Sequence, residues 1–220
     1  MSRRFFGRGR SFHGHRRGFL CADLVFWIRL RDTDFSAIVC VKREIEGDRV
    51  KKHIFLIGFM GCGKSTNAAV LAALTDRRQI EMDEEIAAGQ GMPVQEIFKN
   101  YGEAFFRDLE TELVRNLKDR EPAVVSCGGG VVLREENVRL MKESGSVVLL
   151  TADPETVYER IRETGDRPVL KGHMNVPDIR QLMEKRRPYY EAAADFSVAT
   201  DGKTSEEICR EIVRRLDLDY

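Results

Sequence analysis

The reading of this chain turns on one stretch, His53-Ile54-Phe55-Leu56-Ile57-Gly58-Phe59-Met60-Gly61-Cys62-Gly63-Lys64-Ser65. Its first five residues are a short apolar run ended by glycine, the pattern of a strand buried on both faces in a parallel sheet. The next eight fit GxxxxGK[ST] without a mismatch, and a helix is predicted from about Lys64. Strand, glycine-rich loop and helix in that order make a phosphate-binding loop. Its glycines let backbone N–H groups turn inward onto phosphate oxygens, and the helix N-terminus adds partial positive charge. In such a loop Lys64 reaches the β- and γ-phosphates and Ser65 ligates Mg²⁺. The competing reading is a glycine-rich turn with no ligand. The loop implies a nucleotide but says nothing of the acceptor.

Outward from this stretch the chain alternates. Ala123-Val124-Val125 and Val147-Val148-Leu149-Leu150 are further short apolar runs, and Phe196-Ser197-Val198-Ala199 is a weaker one. Between them Phe106, Leu109, Leu113 and Leu117 recur at helical spacing within residues 104–117, and Asp153-Pro154 opens another helix with a capping acid and an N1 proline. Alternating strands and helices predict an α/β fold with a mostly parallel central sheet between helical layers.

At 220 residues, 42% hydrophobic and 33% charged, the chain is long enough to bury its own core, which excludes collagen-like and wholly disordered classes. The 36 basic and 36 acidic residues cancel, so no whole-chain charge points to nucleic acid or an anionic membrane. That balance hides an asymmetry. Residues 1–50 carry 11 Lys/Arg against 6 Asp/Glu, leaving 25 against 30 for the remainder. Arg3, Arg4, Arg8, Arg10, Arg16 and Arg17 crowd the first 22 residues without an acid. Such a start fits a transit peptide or an arm for single-stranded nucleic acid. The preferred reading is a basic extension over residues 1–49, disordered or a non-native start. Val50 has a possible GTG start codon, and Glu46-Gly47 implies a purine-rich stretch just upstream. Phe19 to Leu30 is too short to span a bilayer and is broken by Asp23 and Arg29. Five cysteines, odd in number and without a CxxC pair, suggest reduced intracellular thiols.

A succession of short motifs follows the loop. It runs Glu81-Met82-Asp83, then Ile97-Phe98, Gly102-Glu103, Phe106-Arg107 and Glu110, then Gly128-Gly129-Gly130. Arg167-Pro168-Val169-Leu170 and Arg186-Arg187-Pro188-Tyr189-Tyr190 complete it. In this order, over about residues 52–216, the chain closely resembles shikimate kinase. The resemblance implies a three-layer P-loop kinase fold of nucleoside-monophosphate-kinase type with a mobile lid. The implied reaction is transfer of the γ-phosphate of ATP to the 3-hydroxyl of shikimate, with Mg²⁺, on the route to chorismate and the aromatic amino acids.

The resemblance also implies the site. Arg107 and Arg186 would hold the shikimate carboxylate, for which a planar guanidinium fork is suited. Gly129 and Gly130 would bring backbone amides to the substrate, and Asp83 would hydrogen-bond its hydroxyls and act as the base. Gly61, Cys62, Gly63, Lys64, Ser65 and Thr66 would cradle ATP. Arg160 would stack on adenine, and Arg167, in the lid, would offset charge on the transferring phosphoryl group. Lys64, Asp83 and Arg167 are thus the expected catalytic set. Competing readings attach to several. Arg107 and Glu110 could be a mere surface pair, Asp83 a helix N-cap, Gly128 to Gly130 a flexible turn, and Arg186 and Arg187 a solvated face. Cys62 and Cys127 read as small packing residues.

In one place the chain departs from the family's pattern. The usual D-x-D is Glu81-Met82-Asp83 here, so the carboxylate that supports the Mg²⁺ water shell is one methylene longer. The expected organisation is a kinase domain over 50–220, with the P-loop at 58–66, a substrate-binding region at about 84–116 and a lid at about 159–173. The expected partners are shikimate and ATP, with no nucleic acid or membrane for the domain, as a cytoplasmic monomer; a plastid is the alternative if residues 1–49 are a transit peptide. The rival functions are another small-molecule kinase, such as a gluconate kinase, and a paralogue that binds nucleotide without catalysis.

Overall fold

The run at residues 53–57 forms strand β1 (His53–Ile57), with all five residues buried. After the glycine-rich loop comes helix α1 (Lys64–Leu74), which turns Asn67, Ala68, Leu71 and Ala72 inward. The chain continues through β2 (Arg78–Glu81), α2 (Met82–Gln90), α3 (Val94–Leu117), β3 (Ala123–Ser126), α4 (Glu135–Ser144), β4 (Gly145–Thr151), α5 (Pro154–Arg162), α6 (Val176–Ala193), β5 (Phe196–Ala199) and α7 (Ser205–Arg215). This computed structural model describes residues 53–162 and 175–218. The expectations for the N-terminal extension, for Arg167 and for the lid beyond Arg162 lie outside those residues.

The five strands make one sheet in the order β2-β3-β1-β4-β5, and every pairing is parallel. The α/β expectation is met. Because β1 lies between β3 and β4, its residues Ile54, Phe55, Leu56 and Ile57 are at most 1% exposed. The parallel register sets Leu56 and Glu81 each opposite Ser126 of β3, so β1, β2 and β3 end together. Ligands of open α/β sheets bind outside such carboxyl ends.

Two elements differ from the sequence reading. Strand β2 has no apolar run, since only Ile80 is buried; as an edge strand it can leave polar side chains in water. The helix expected over 104–117 is present as the part of α3 that follows a kink at Gly102 (φ 81°, ψ 174°), and an unanticipated helical segment from Val94 precedes that kink. Helices α2 and α3 pack on each other, as do α3 and α4, and α5 and α6. A buried histidine ties β1 to the connection that follows α3. The Ala123 N–H donates to His53 Nδ1 at 3.1 Å, so the ring proton sits on Nε2, which is 2.7 Å from the Leu117 carbonyl.

Candidate active site

The loop after β1 is held open by backbone conformation. Gly58, Gly61 and Gly63 take φ values of 141°, 79° and 84°, in the region that favours glycine. At Gly58 a Cβ would also lie 2.3 Å from the Leu150 carbonyl oxygen. Gly63 caps α1 without a side chain, and the first turn of α1 carries no acid, so its N–H groups and dipole are left for an anion. Lys64 folds back over the loop, donating to the Gly58 and Phe59 carbonyls at 2.9 and 3.0 Å. From α5, Arg160 donates to the Gly61 carbonyl and to Thr200 Oγ1, each at 3.1 Å. Its guanidinium therefore lies at the edge of the loop, where a nucleotide base could rest on its face.

One side of the loop gathers oxygen atoms. Ser65 Oγ donates to Glu81 Oε2 at 3.0 Å and lies 3.4 Å from Ser126 Oγ. Gln79 donates through Nε2 to Glu81 Oε1 at 2.7 Å and to the Ser65 carbonyl at 3.3 Å. A carboxylate with two hydroxyls is a hard-oxygen set that fits Mg²⁺. Among the described residues there is no cluster of three or more His, Cys, Asp or Glu side chains that could hold a metal.

The other side of the loop is a carboxylate–guanidinium cluster around the glycines after β3. Arg107 Nη1 donates to Glu110 Oε2 at 2.7 Å and Nη2 to Glu103 Oε1 at 2.8 Å. The Arg107 and Glu110 side chains are 13% and 0% exposed, so this is no surface pair. Glu110 Oε1 is buried with no hydrogen-bond partner. Burial pushes the Glu110 carboxyl above its ordinary range, Arg107 opposes that, and Asp83 adds to it. Gly130 makes room for Arg107, since a Cβ there would lie 2.3 Å from Nη1. A Cβ at Gly128 would lie 2.7 Å from Glu110 Oε1 and 2.9 Å from Asp83 Oδ1. Both carboxylates therefore converge on one glycine.

From α6, Tyr190 donates to the Gly129 carbonyl at 2.6 Å. Burial raises its hydroxyl to about 12 against the pull of Arg186, which is hydrogen-bonded to it, so the phenol stays a donor. Arg186 lies over the Phe59 ring, 6.0 Å from its centroid. The next residue, Arg187, is exposed and paired with Glu184.

The structure thus brings Lys64, Ser65, Glu81, Asp83, Arg107, Gly129, Gly130, Arg160 and Arg186 to the carboxyl ends of β1, β2 and β3 and the loop beside them. Thr66 is exposed on α1, and Arg167 is outside the described residues. Three bland readings are corrected. Asp83 is no N-cap, because Glu81 occupies that place and Asp83 stands in the first turn of α2. Arg107 is packed against a buried acid. Gly128 to Gly130 are not a slack turn, since their carbonyls accept from Val131, Tyr190 and Leu133. Cys62 and Cys127 are buried thiols, and burial raises both. The sequence reading missed Ser126 and Gln79, which come from the end of a strand and from an unanticipated edge strand.

The family model for shikimate kinase matches residues 60–217. A shikimate kinase from Persephonella marina is 41% identical over 165 residues, covering 75% of this chain and 99% of that protein. A shikimate kinase from Acinetobacter baumannii, solved in complex with shikimate, superposes with a TM-score of 0.72 at 29% identity, over 78% of this chain and 96% of that one. The crystal structure of shikimate kinase from Aquifex aeolicus gives 0.65 at 36% identity, over 75% and 96%.

Proposed function

This chain belongs to the shikimate kinase family, and from that premise we propose how its residues divide the work of the reaction. The reaction is phosphoryl transfer from ATP to the 3-hydroxyl of shikimate, giving ADP and shikimate 3-phosphate for aromatic amino acid biosynthesis. The N–H groups of residues 61–66 and the start of α1 cradle the phosphates, and Lys64 leaves the Gly58 and Phe59 carbonyls to reach them. Arg160 supports the adenine with its guanidinium face. Ser65 and, through water, Glu81 would hold Mg²⁺, which when bound would supply neutralisation of phosphate charge.

Arg107 and Arg186 clamp the shikimate carboxylate from two helices, with the amides of Gly129 and Gly130 beside them. Asp83 accepts from the ring hydroxyls and takes the proton as the 3-oxygen attacks. Arg167 offsets charge on the moving phosphoryl group, the role that the family resemblance gives it. Catalysis is then positioning and electrostatics, with little covalent chemistry by the protein. We take the working form as a monomer in the cytoplasm. Free cysteines at 62, 127 and 209 fit a reducing compartment. Among the described residues no helix is long and apolar enough to cross a membrane.

The observation that carries this reading is Arg107, oriented by Glu103 and Glu110 and seated over Gly130. Lysine cannot reproduce its fork. Arg107→Lys is expected to raise KM for shikimate about 10- to 100-fold, equivalent to about 1.5–3 kcal/mol for hydrogen bonds to a charged group, and to leave KM for ATP unchanged. An ATP effect as large as the shikimate effect would place Arg107 outside the acceptor site.

A further inference from the structure

We propose that Gln79 is the positioning residue that lets a glutamate serve at position 81. The inference rests on the reading that Ser65 and Glu81 form the Mg²⁺ side of the site. Residues 79 and 81 alternate along β2, so their side chains leave the strand on the same face. Gln79 Nε2 donates to Glu81 Oε1 at 2.7 Å while Ser65 Oγ donates to Glu81 Oε2 at 3.0 Å. Each carboxylate oxygen thus has its own donor. The same Nε2 reaches the Ser65 carbonyl at 3.3 Å, so one amide ties the strand end to the first turn of α1.

These contacts have a consequence for the cation. Glutamate has one more rotatable bond than aspartate, and an exposed glutamate would spread over many rotamers. With Oε1 held by Gln79, the carboxylate is turned so that Oε2 accepts the hydrogen bond from the Ser65 hydroxyl. The lone pairs of Ser65 Oγ then face away from Glu81; one meets the Ser126 hydroxyl at 3.4 Å and the other is left for a metal ion. Partners that orient a ligand in this way typically govern metal affinity.

The test is calorimetric binding of ADP to the full chain, with Mg²⁺ and again with the metal removed by chelation. Gln79→Met, which keeps the shape but not the donor, is expected to weaken MgADP binding about tenfold and leave metal-free ADP binding unchanged. Gln79→Lys, which restores a donor, recovers most of the loss. In a Glu81→Ala background Gln79→Met has no further effect, since Gln79 acts through Glu81. Undiminished MgADP binding by Gln79→Met, while Ser65→Ala and Glu81→Ala lose it, overturns the role of Gln79 alone. The same follows if Gln79→Met costs as much in the Glu81→Ala background as in the native chain. If Ser65→Ala and Glu81→Ala bind MgADP normally, the metal reading falls and the inference falls with it.

Discussion

Glu110 shows what a single residue contributes beyond its place in a motif. It is fully buried, one of its oxygens has no donor, and Asp83 lies close by. Its folded-state carboxyl is therefore raised above the ordinary value of 4.5, chiefly by burial. A raised acid binds its proton more tightly in the folded state. Its stabilising contribution is full below the unfolded value and is lost as pH rises through the folded one. Compared with Glu110→Gln, whose amide oxygen can still accept from Arg107, the native chain should be equally stable near pH 4 and should fall behind as pH rises towards neutrality. Urea denaturation of both chains across that range checks it; a native chain that gains on the variant would mean that Arg107 outweighs burial. The Phe106-Arg107 and Glu110 motif could be read in the sequence, but this burial could not. A spacing of three on a helix fits a solvated pair equally well, and only the packing of α3 against the glycines after β3 excludes water.

At the scale of elements, the most legible pieces were those with a strong local pattern. Strand β1 was evident because a strand covered on both faces must be apolar throughout, and the loop after it because glycine spacing is dictated by phosphate geometry. Strand β2 was not, since an edge strand needs only one buried side chain, here Ile80. That omission hid Gln79, whose alignment with Glu81 follows from the strand's two-residue period. The Gly102 break was also hidden, because the apolar positions on either side keep helical spacing. His53 counts in the sequence only as the first residue of a short apolar run, whereas it joins Ala123 and Leu117 across 70 and 64 residues of chain. His53→Leu removes both partners and leaves an amide and a carbonyl buried. A loss of about 1–3 kcal/mol is expected, read as a lower urea midpoint at unchanged slope. Unaltered stability would show that water replaces the ring.

For the molecule as a whole, parallel pairing around β1 is what converts a list of motifs into a site. Residues as distant in sequence as Lys64, Asp83, Arg107, Gly129 and Arg186 meet because their elements finish at, or pack against, the same end of one sheet. Order in sequence suggested this convergence through family resemblance, and the strand register supplies its physical cause. In the proposed division of labour the nucleotide side and the acceptor side share the short loop from Gly58 to Gly63, so the two substrates would face each other across it. The most direct test of that claim is ADP release from MgATP by the full chain, measured with and without shikimate. The account predicts turnover that depends on shikimate and yields one shikimate 3-phosphate for each ADP. ADP release at the same rate without shikimate would contradict it.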